Sequence, residues 1–458
     1  MHKIDTDFIY DSQRLIFYKQ SLAADDVSKI ETLIPINDLF DSLKERLEAE
    51  DPVSSTVRLS ALTQAGICLT NGCNLRCTYC GDNITNENLV SLTLDDVAVY
   101  LKEIMKRWLL NKLVTRKEEP LEITISGGGE PTYNWNLFQE TVLLIEKKCA
   151  DNHIPLSLRM TTNGILTPYQ REFIMNHFSY VMLSYDGMPE LQNKNRISSE
   201  YPISSNIVED TIRYFLAHNL DFTVRTTLWQ DDCIRLKDII DYMVSTFGPR
   251  IKWTVLPVLP TGRALNRIDR KSDELKNQDF VEYYIEALEY SKEKYGDISI
   301  GTPMFSDHLI ALFCSGLSCN CACPWLLPNR DIITCIDAPN TKTVIGTIND
   351  TGVEIFKKCV DPLLTQSIIK YSECRDCIAY RFCKGGCPAK HLMTVEHETA
   401  LSNWECSMIE KYWMYVFRKI LKGEECFGWK VEPINTIEEI SGYGVLKLVR
   451  INGDNDVY

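Results

Sequence analysis

Cys73-Asn74-Leu75-Arg76-Cys77-Thr78-Tyr79-Cys80 spaces three thiols as C-x3-C-x2-C. Three cysteines on one tight loop can hold three corners of an iron–sulfur cube and leave the fourth iron open to a ligand. Structural zinc normally takes four ligands and would need another cysteine or histidine. A second block lies downstream. Cys374, Cys377, Cys383 and Cys387 run as C-x2-C-x5-C-x3-C, and Cys406 follows nineteen residues later. Cys314, Cys319, Cys321, Cys323 and Cys335 precede them. Clustering at such short spacings reads as metal binding, and a pair of four-cysteine zinc sites is one occupant it permits.

Other residues with chemical potential recur after apolar runs. Ser126-Gly127-Gly128-Gly129-Glu130-Pro131 offers a glycine-rich loop on which a ligand can approach the backbone closely. Ser184-Tyr185-Asp186-Gly187 is followed by Arg196, a residue type suited to bidentate carboxylate recognition. Thr162-Asn163-Gly164 reads as a turn. Arg225-Thr226-Thr227 and Thr261-Gly262-Arg263 read as packing, and no role is assigned to them.

The elements that must position these residues alternate. Strand-like runs are Gly66–Thr70, Leu121–Ser126, Leu156–Thr161, Val181–Ser184, Phe222–Thr227 and Ile251–Leu256. Helical periodicity marks Leu94–Leu110, Leu137–Cys149, Tyr169–Phe178, Ile207–His218, Leu236–Phe247 and Asp279–Lys294. Thr93, and Thr167 before Pro168, are expected helix starts. Six βα units predict an α/β fold with a parallel sheet, a partial (β/α)6 barrel whose ligands sit at the carboxyl ends of the strands. Past residue 305 the pattern breaks into short, cysteine-rich, turn-rich segments. The expected division is an N-terminal extension at 1–62, a barrel at 63–305, a cysteine domain at 306–425 and a C-terminal extension at 426–458.

At about 150 residues per domain, 458 residues allow about three domains. The 49 basic and 63 acidic residues give a net charge of −14, which disfavours a nucleic-acid partner. No apolar run approaches a membrane span and no secretory signal is visible, so a cytoplasmic protein without a membrane partner is expected. Eighteen cysteines in that setting are not a disulfide framework, because the cytosol keeps thiols reduced.

The C-x3-C-x2-C triplet after the first strand, with Tyr79 ahead of its last cysteine, resembles the signature of the radical S-adenosylmethionine (SAM) superfamily. That resemblance implies a 4Fe–4S cluster on Cys73, Cys77 and Cys80 and SAM as cofactor. It implies that Gly128, Gly129 and Glu130 bind the amino group of SAM, and that Tyr79 belongs to the same site. Ser184, Asp186-Gly187 and Arg196 are similar to a pattern of anaerobic sulfatase-maturating enzymes, where the serine contacts the ribose and the arginine the carboxylate.

The downstream block, with Lys384-Gly385-Gly386-Cys387, is similar to the SPASM domain of peptide-modifying radical enzymes. It implies two auxiliary clusters and three 4Fe–4S clusters in all. Cys314, Cys335, Cys387 and either Cys319 or Cys321 would hold the inner one. Cys374, Cys377, Cys383 and Cys406 would hold the outer one. One departure from that family is Arg330, where the pattern has glycine. It puts the local turn in question.

The implied activity is that of an oxidoreductase. A 5′-deoxyadenosyl radical abstracts hydrogen from a side chain of a ribosomally made peptide, giving a thioether, a carbon–carbon crosslink or a dehydrogenation. Implied partners are the precursor peptide and a one-electron reductant such as flavodoxin or ferredoxin. A competing reading is sulfatase maturation by formylglycine formation. In those enzymes an aspartate directly follows the cysteine matching Cys335 and serves as base, whereas Ile336 stands here and Asp337 comes one residue later. Asp337 is the candidate for proton removal or substrate contact, with a plain turn residue and a carboxylate ligand to the inner cluster as the alternatives. A reading of another class is a non-catalytic iron–sulfur or zinc scaffold.

Overall fold

The structure is a computed structural model. It describes residues 2–4, 8–11, 16–19, 63–82, 84–198, 200–259, 261–266, 278–296, 300–301, 323–336, 344–350, 352–355, 377–379, 401–424, 429–433 and 446–450. The chain forms two compact units. The larger comprises Pro52–Met304 and Asn320–Pro362. The smaller comprises Met1–Asp51, Phe305–Cys319 and Leu363–Tyr458.

The larger unit is built on a parallel run of strands in sequence order. These are β1 (Gln64–Ile67), β2 (Leu121–Ile125), β3 (Leu156–Thr162), β4 (Tyr180–Ser184), β5 (Phe222–Leu228), β6 (Trp253–Pro257) and β7 (Ile300–Gly301). Each pairs in parallel with the next. Between them run helices α1 (Leu94–Thr115), α2 (Trp135–Asp151), α3 (Pro168–His177), α4 (Ser204–Ala217), α5 (Leu236–Phe247) and α6 (Gln278–Tyr295). Every expected βα unit is present.

Local chemistry explains the elements. Along β5, Phe222, Val224, Thr226 and Leu228 are buried while Thr223, Arg225 and Thr227 are half-buried. The two-residue period of a strand thus separates a packed face from one carrying Arg225 and Thr227 to a cavity. In α5, buried Leu236, Ile239, Ile240 and Met243 recur at helical spacing. Burying each such side chain contributes roughly 1.5–3 kcal/mol. Thr93 starts α1 with a capping box: Asp96 N donates to Thr93 Oγ1 at 3.2 Å, and Thr93 N donates to Asp96 Oδ2 at 2.9 Å. Thr167 and Gln170 repeat that device ahead of α3, with Pro168 in its first turn.

The sheet does not stop at β1. Strand β8 (Trp325–Leu326) pairs in parallel with β1, and β9 (Asp331–Ile333), β10 (Val344–Asn349) and β11 (Gly352–Ile355) continue it as antiparallel hairpins. Glycine is required at 66 because a Cβ there would fall inside the Trp325 ring. The turn between β8 and β9 survives the arginine at position 330. Arg330 takes the left-handed conformation, φ 72°, and its Nε reaches buried Asp96 Oδ1 at 3.0 Å. Left-handed backbone costs a residue with a Cβ about 1–2 kcal/mol, which the ion pair partly offsets.

In the smaller unit, strands His2–Lys3, Phe8–Asp11, Ile16–Lys19, Leu446–Arg450 and Trp429–Pro433 form one antiparallel sheet in that order. Its core holds Tyr10 and Phe17 against Phe417 of helix Leu401–Leu421, with ring centroids 4.5–5.1 Å apart. The two chain ends therefore share a sheet.

Candidate active site

The cysteine loop leaves β1 and is held by side chains on its own flank. Cys73 N donates to Asn86 Oδ1 at 3.1 Å, and Asn86 Nδ2 donates back to Cys73 O at 3.0 Å. Arg76 Nη1 donates to Cys73 O at 2.8 Å and Nη2 to Thr85 O at 2.9 Å. Arg76–Cys77 also pairs as a short antiparallel ladder with Arg196–Ile197, which sets Cys77 opposite Arg196. Burial pushes the Cys73 thiol up to about 12 and Cys77 to about 11, the latter opposed by the nearby Arg196 cation. Thiols so placed are protonated at neutral pH, so a metal bound there would displace their protons.

The glycine loop sits across from them. Gly127 and Gly128 have φ of 79° and 68°, and a Cβ on Gly129 would overlap the Gly72 carbonyl. Glu130 N donates to that same carbonyl at 2.8 Å. The Glu130 carboxylate is buried and fully directed. Oε1 accepts Thr132 Oγ1 and Thr162 Oγ1, each at 2.8 Å, and Thr132 N at 3.2 Å. Oε2 accepts Asn163 N at 2.7 Å. Burial raises its carboxyl above the usual range, while these donors pull the other way. Thr162 and Asn163, which the sequence offered only as a turn, are what orient it.

Beyond β4, half-buried Tyr79 meets the buried side chains of Asp186 and Arg196. Tyr79 Oη donates to Asp186 Oδ2 at 2.6 Å, and Arg196 Nε donates to Asp186 Oδ1 at 3.0 Å. The Arg196 guanidinium also lies 5.4 Å from the Tyr79 ring centroid. Burial works against the arginine's charge, but Asp186 more than offsets it. Only Nε is hydrogen-bonded among the described residues, so the Nη edge remains for a carboxylate.

These parts meet. Cys73, Cys77, Cys80, Tyr79, Gly128, Gly129, Glu130, Ser184 and Arg196 all line one cavity of about 310 Å3. Arg225 and Thr227 line it too. Among the described residues no three His, Cys, Asp or Glu side chains converge closely enough for a single ion. The donor set fits a cluster with SAM: three thiols, a carboxylate for an amine and a guanidinium for a carboxylate.

Arg263 was assigned nothing from sequence, yet it grips the cysteine loop. Nη1 donates to Cys77 O and Nη2 to Ile84 O, both at 2.6 Å. Trp229 Nε1 donates to Thr78 Oγ1 at 3.0 Å from a different strand end. The available signal was position alone: both residues follow barrel strands.

Past β9, Cys335 leads to Ile336, whose side chain packs on Gly127; a Cβ there would press into it. In the smaller unit Cys377 is raised by burial, and Cys406 adds to that effect, so these two thiols lie within electrostatic reach. Asp337, Cys314, Cys319, Cys321, Cys374, Cys383 and Cys387 lie outside the described residues.

Residues 67–243 match the family model of the Radical SAM superfamily. That match falls within the open parallel α/β barrel and includes most of the residues that line its cavity. The chain is related in sequence to a cysteine-type anaerobic sulfatase-maturating enzyme of Clostridium perfringens, 21% identical over 370 residues, or 77% of this chain and 95% of that one. The structure of native anSMEcpe with bound AdoMet and Cp18Cys peptide superposes with a TM-score of 0.59 at 19% identity, covering 78% of this chain and 98% of the other. SuiB of Streptococcus suis bound to S-adenosylmethionine gives 0.50 at 14% identity, covering 85% and 96%. No helix among the described residues is long and apolar enough to cross a membrane.

Proposed function

We propose that this chain is a SPASM-type radical SAM maturase that oxidatively modifies a side chain of a ribosomally made peptide. The supporting observation is one cavity that joins three thiols to a buried carboxylate and a buried guanidinium. Cys73, Cys77 and Cys80 hold the first 4Fe–4S cluster. Glu130, with the Gly128 and Gly129 backbone, receives the amino end of SAM, Arg196 its carboxylate and Ser184 its ribose; Tyr79 closes the site. When bound, these cofactors supply a 5′-deoxyadenosyl radical that removes hydrogen from a C–H bond. The protein's part is to orient the cofactor by opposite charges and to exclude water.

Two auxiliary clusters complete the enzyme. The inner is held by Cys314, Cys335, Cys387 and Cys319 or Cys321, and the outer by Cys374, Cys377, Cys383 and Cys406. The reductant is flavodoxin or ferredoxin.

Sequence relatedness to sulfatase maturases favours a second reading, formylglycine formation. Against it, the residue after Cys335 is isoleucine packed on the glycine loop, which cannot accept a proton. The deciding experiment incubates reconstituted protein, SAM and reductant with a sulfatase-motif cysteine peptide and, separately, with a short peptide encoded beside this gene. Modification of the second alone supports the proposal. An aldehyde on the first, trapped by a hydrazide, replaces it with sulfatase maturation.

A further inference from the structure

Three backbone carbonyls of the cysteine loop converge on one turn, the segment Thr261-Gly262-Arg263 that follows β6. Arg263 Nη1 donates to Cys77 O at 2.6 Å and Nη2 to Ile84 O at 2.6 Å. Arg263 N donates to Cys80 O at 2.8 Å. Two of those carbonyls belong to the cysteines themselves. Gly262, at φ 52°, lies so close that a Cβ would overlap the carbonyls of Cys80 and Gly81. We infer that Arg263 is a positioning residue, a clasp that presets the loop from Cys77 to Ile84 in the shape that seats the cluster of Cys73, Cys77 and Cys80. The inference rests on the cluster assignment made above.

The physical case is one of geometry. All three thiols come from eight consecutive residues, so the ligand set is as ordered as the loop that carries it. A loop without outside support must be organised by the metal as it binds, at the expense of affinity. The planar guanidinium reaches two carbonyls from two nitrogens held apart in one rigid group, a fixed spread that the single nitrogen of an ammonium lacks. Gly262 permits that approach, and its lack of a Cβ is an independent sign that the contact is built in. Arg76 and Asn86 hold the loop's first half at Cys73. Arg263 does the same for its second half.

The test uses the full chain, anaerobically reconstituted, as wild type and as Arg263→Gln, Arg263→Lys and Gly262→Ala. Iron release to a chelator is followed together with the electron paramagnetic resonance spectrum of the reduced protein, with and without SAM. Thermal unfolding of the iron-free chain is the control for general stability. Arg263→Gln should release about a third of its iron, one cluster of three, roughly tenfold faster than wild type, and its SAM-dependent spectral change should shrink. Arg263→Lys should recover part of both. Gly262→Ala should act like Arg263→Gln and carries the test should the latter not fold. Wild-type iron release and spectra in both Arg263→Gln and Gly262→Ala overturn the clasp. A wild-type chain that takes up no cluster at the triplet overturns the proposed function, and the clasp with it.

Discussion

Arg196 and Asp186 form a buried ion pair, Nε to Oδ1 at 3.0 Å, at the edge of the cavity that also holds Cys73, Cys77 and Cys80. Asp186 simultaneously accepts the Tyr79 hydroxyl, so one carboxylate sets the direction of both an arginine and an aromatic ring. Asp186→Asn should therefore weaken SAM binding about tenfold, corresponding to ~1.4 kcal/mol, without loss of iron. Equilibrium binding to the reconstituted protein measures it. Unchanged affinity would show that the triad is structural only.

Glu130→Gln and Arg196→Ala remove the charges proposed to face the amino and carboxylate ends of SAM. Each should cost on the order of 2 kcal/mol in SAM affinity with cluster content intact. If both variants bind as wild type does, the cofactor lies elsewhere.

Iron analysis decides the cluster count. Reconstituted protein should contain about 12 iron and 12 sulfide per chain, for three cubane clusters. Joint replacement of Cys73, Cys77 and Cys80 by Ala should lower this to about 8 iron and abolish SAM cleavage. Stoichiometric zinc with about 4 iron would identify the downstream cysteines as a zinc domain.

The iron-free chain should lose stability at alkaline pH. Burial holds the Cys73 and Cys77 thiols above the ordinary value of 9.0, at about 12 and about 11. Their folded values exceed the unfolded one, so their contribution is intact below about pH 9 and is lost as pH rises through 11 to 12. Urea unfolding at a series of pH values reads the slope. Cys73→Ala with Cys77→Ala should flatten it, and an equally steep slope in that variant would refute the assignment.

Asp337, two residues after Cys335 in the sequence, is proposed as a proton acceptor. Asp337→Asn should keep its iron and still form 5′-deoxyadenosine while yielding little modified peptide. Loss of iron would make the residue a ligand, and normal yield would leave it a turn residue.

Much of the larger unit was legible in the sequence. Apolar runs and helical periodicity located β2 to β6 and their helices to within a few residues, and Thr93 and Thr167 marked two helix starts by side-chain capping. Those are local properties, set by neighbours a few positions apart. The cysteine triplet was legible for the same reason, since its three thiols share one loop. Partners far along the chain were not. Glu130 is fixed by Thr162 and Asn163, 32 and 33 residues away, and Arg263 reaches Cys77 across 186. Strand β8 joins the barrel sheet with Trp325 opposite Gly66, and strand Leu446–Arg450 pairs with Ile16–Lys19. Periodicity records that a residue is buried, but not what buries it. Which strand edge accepts another, and which carbonyls an arginine finds, depends on surfaces that exist only once the chain has folded.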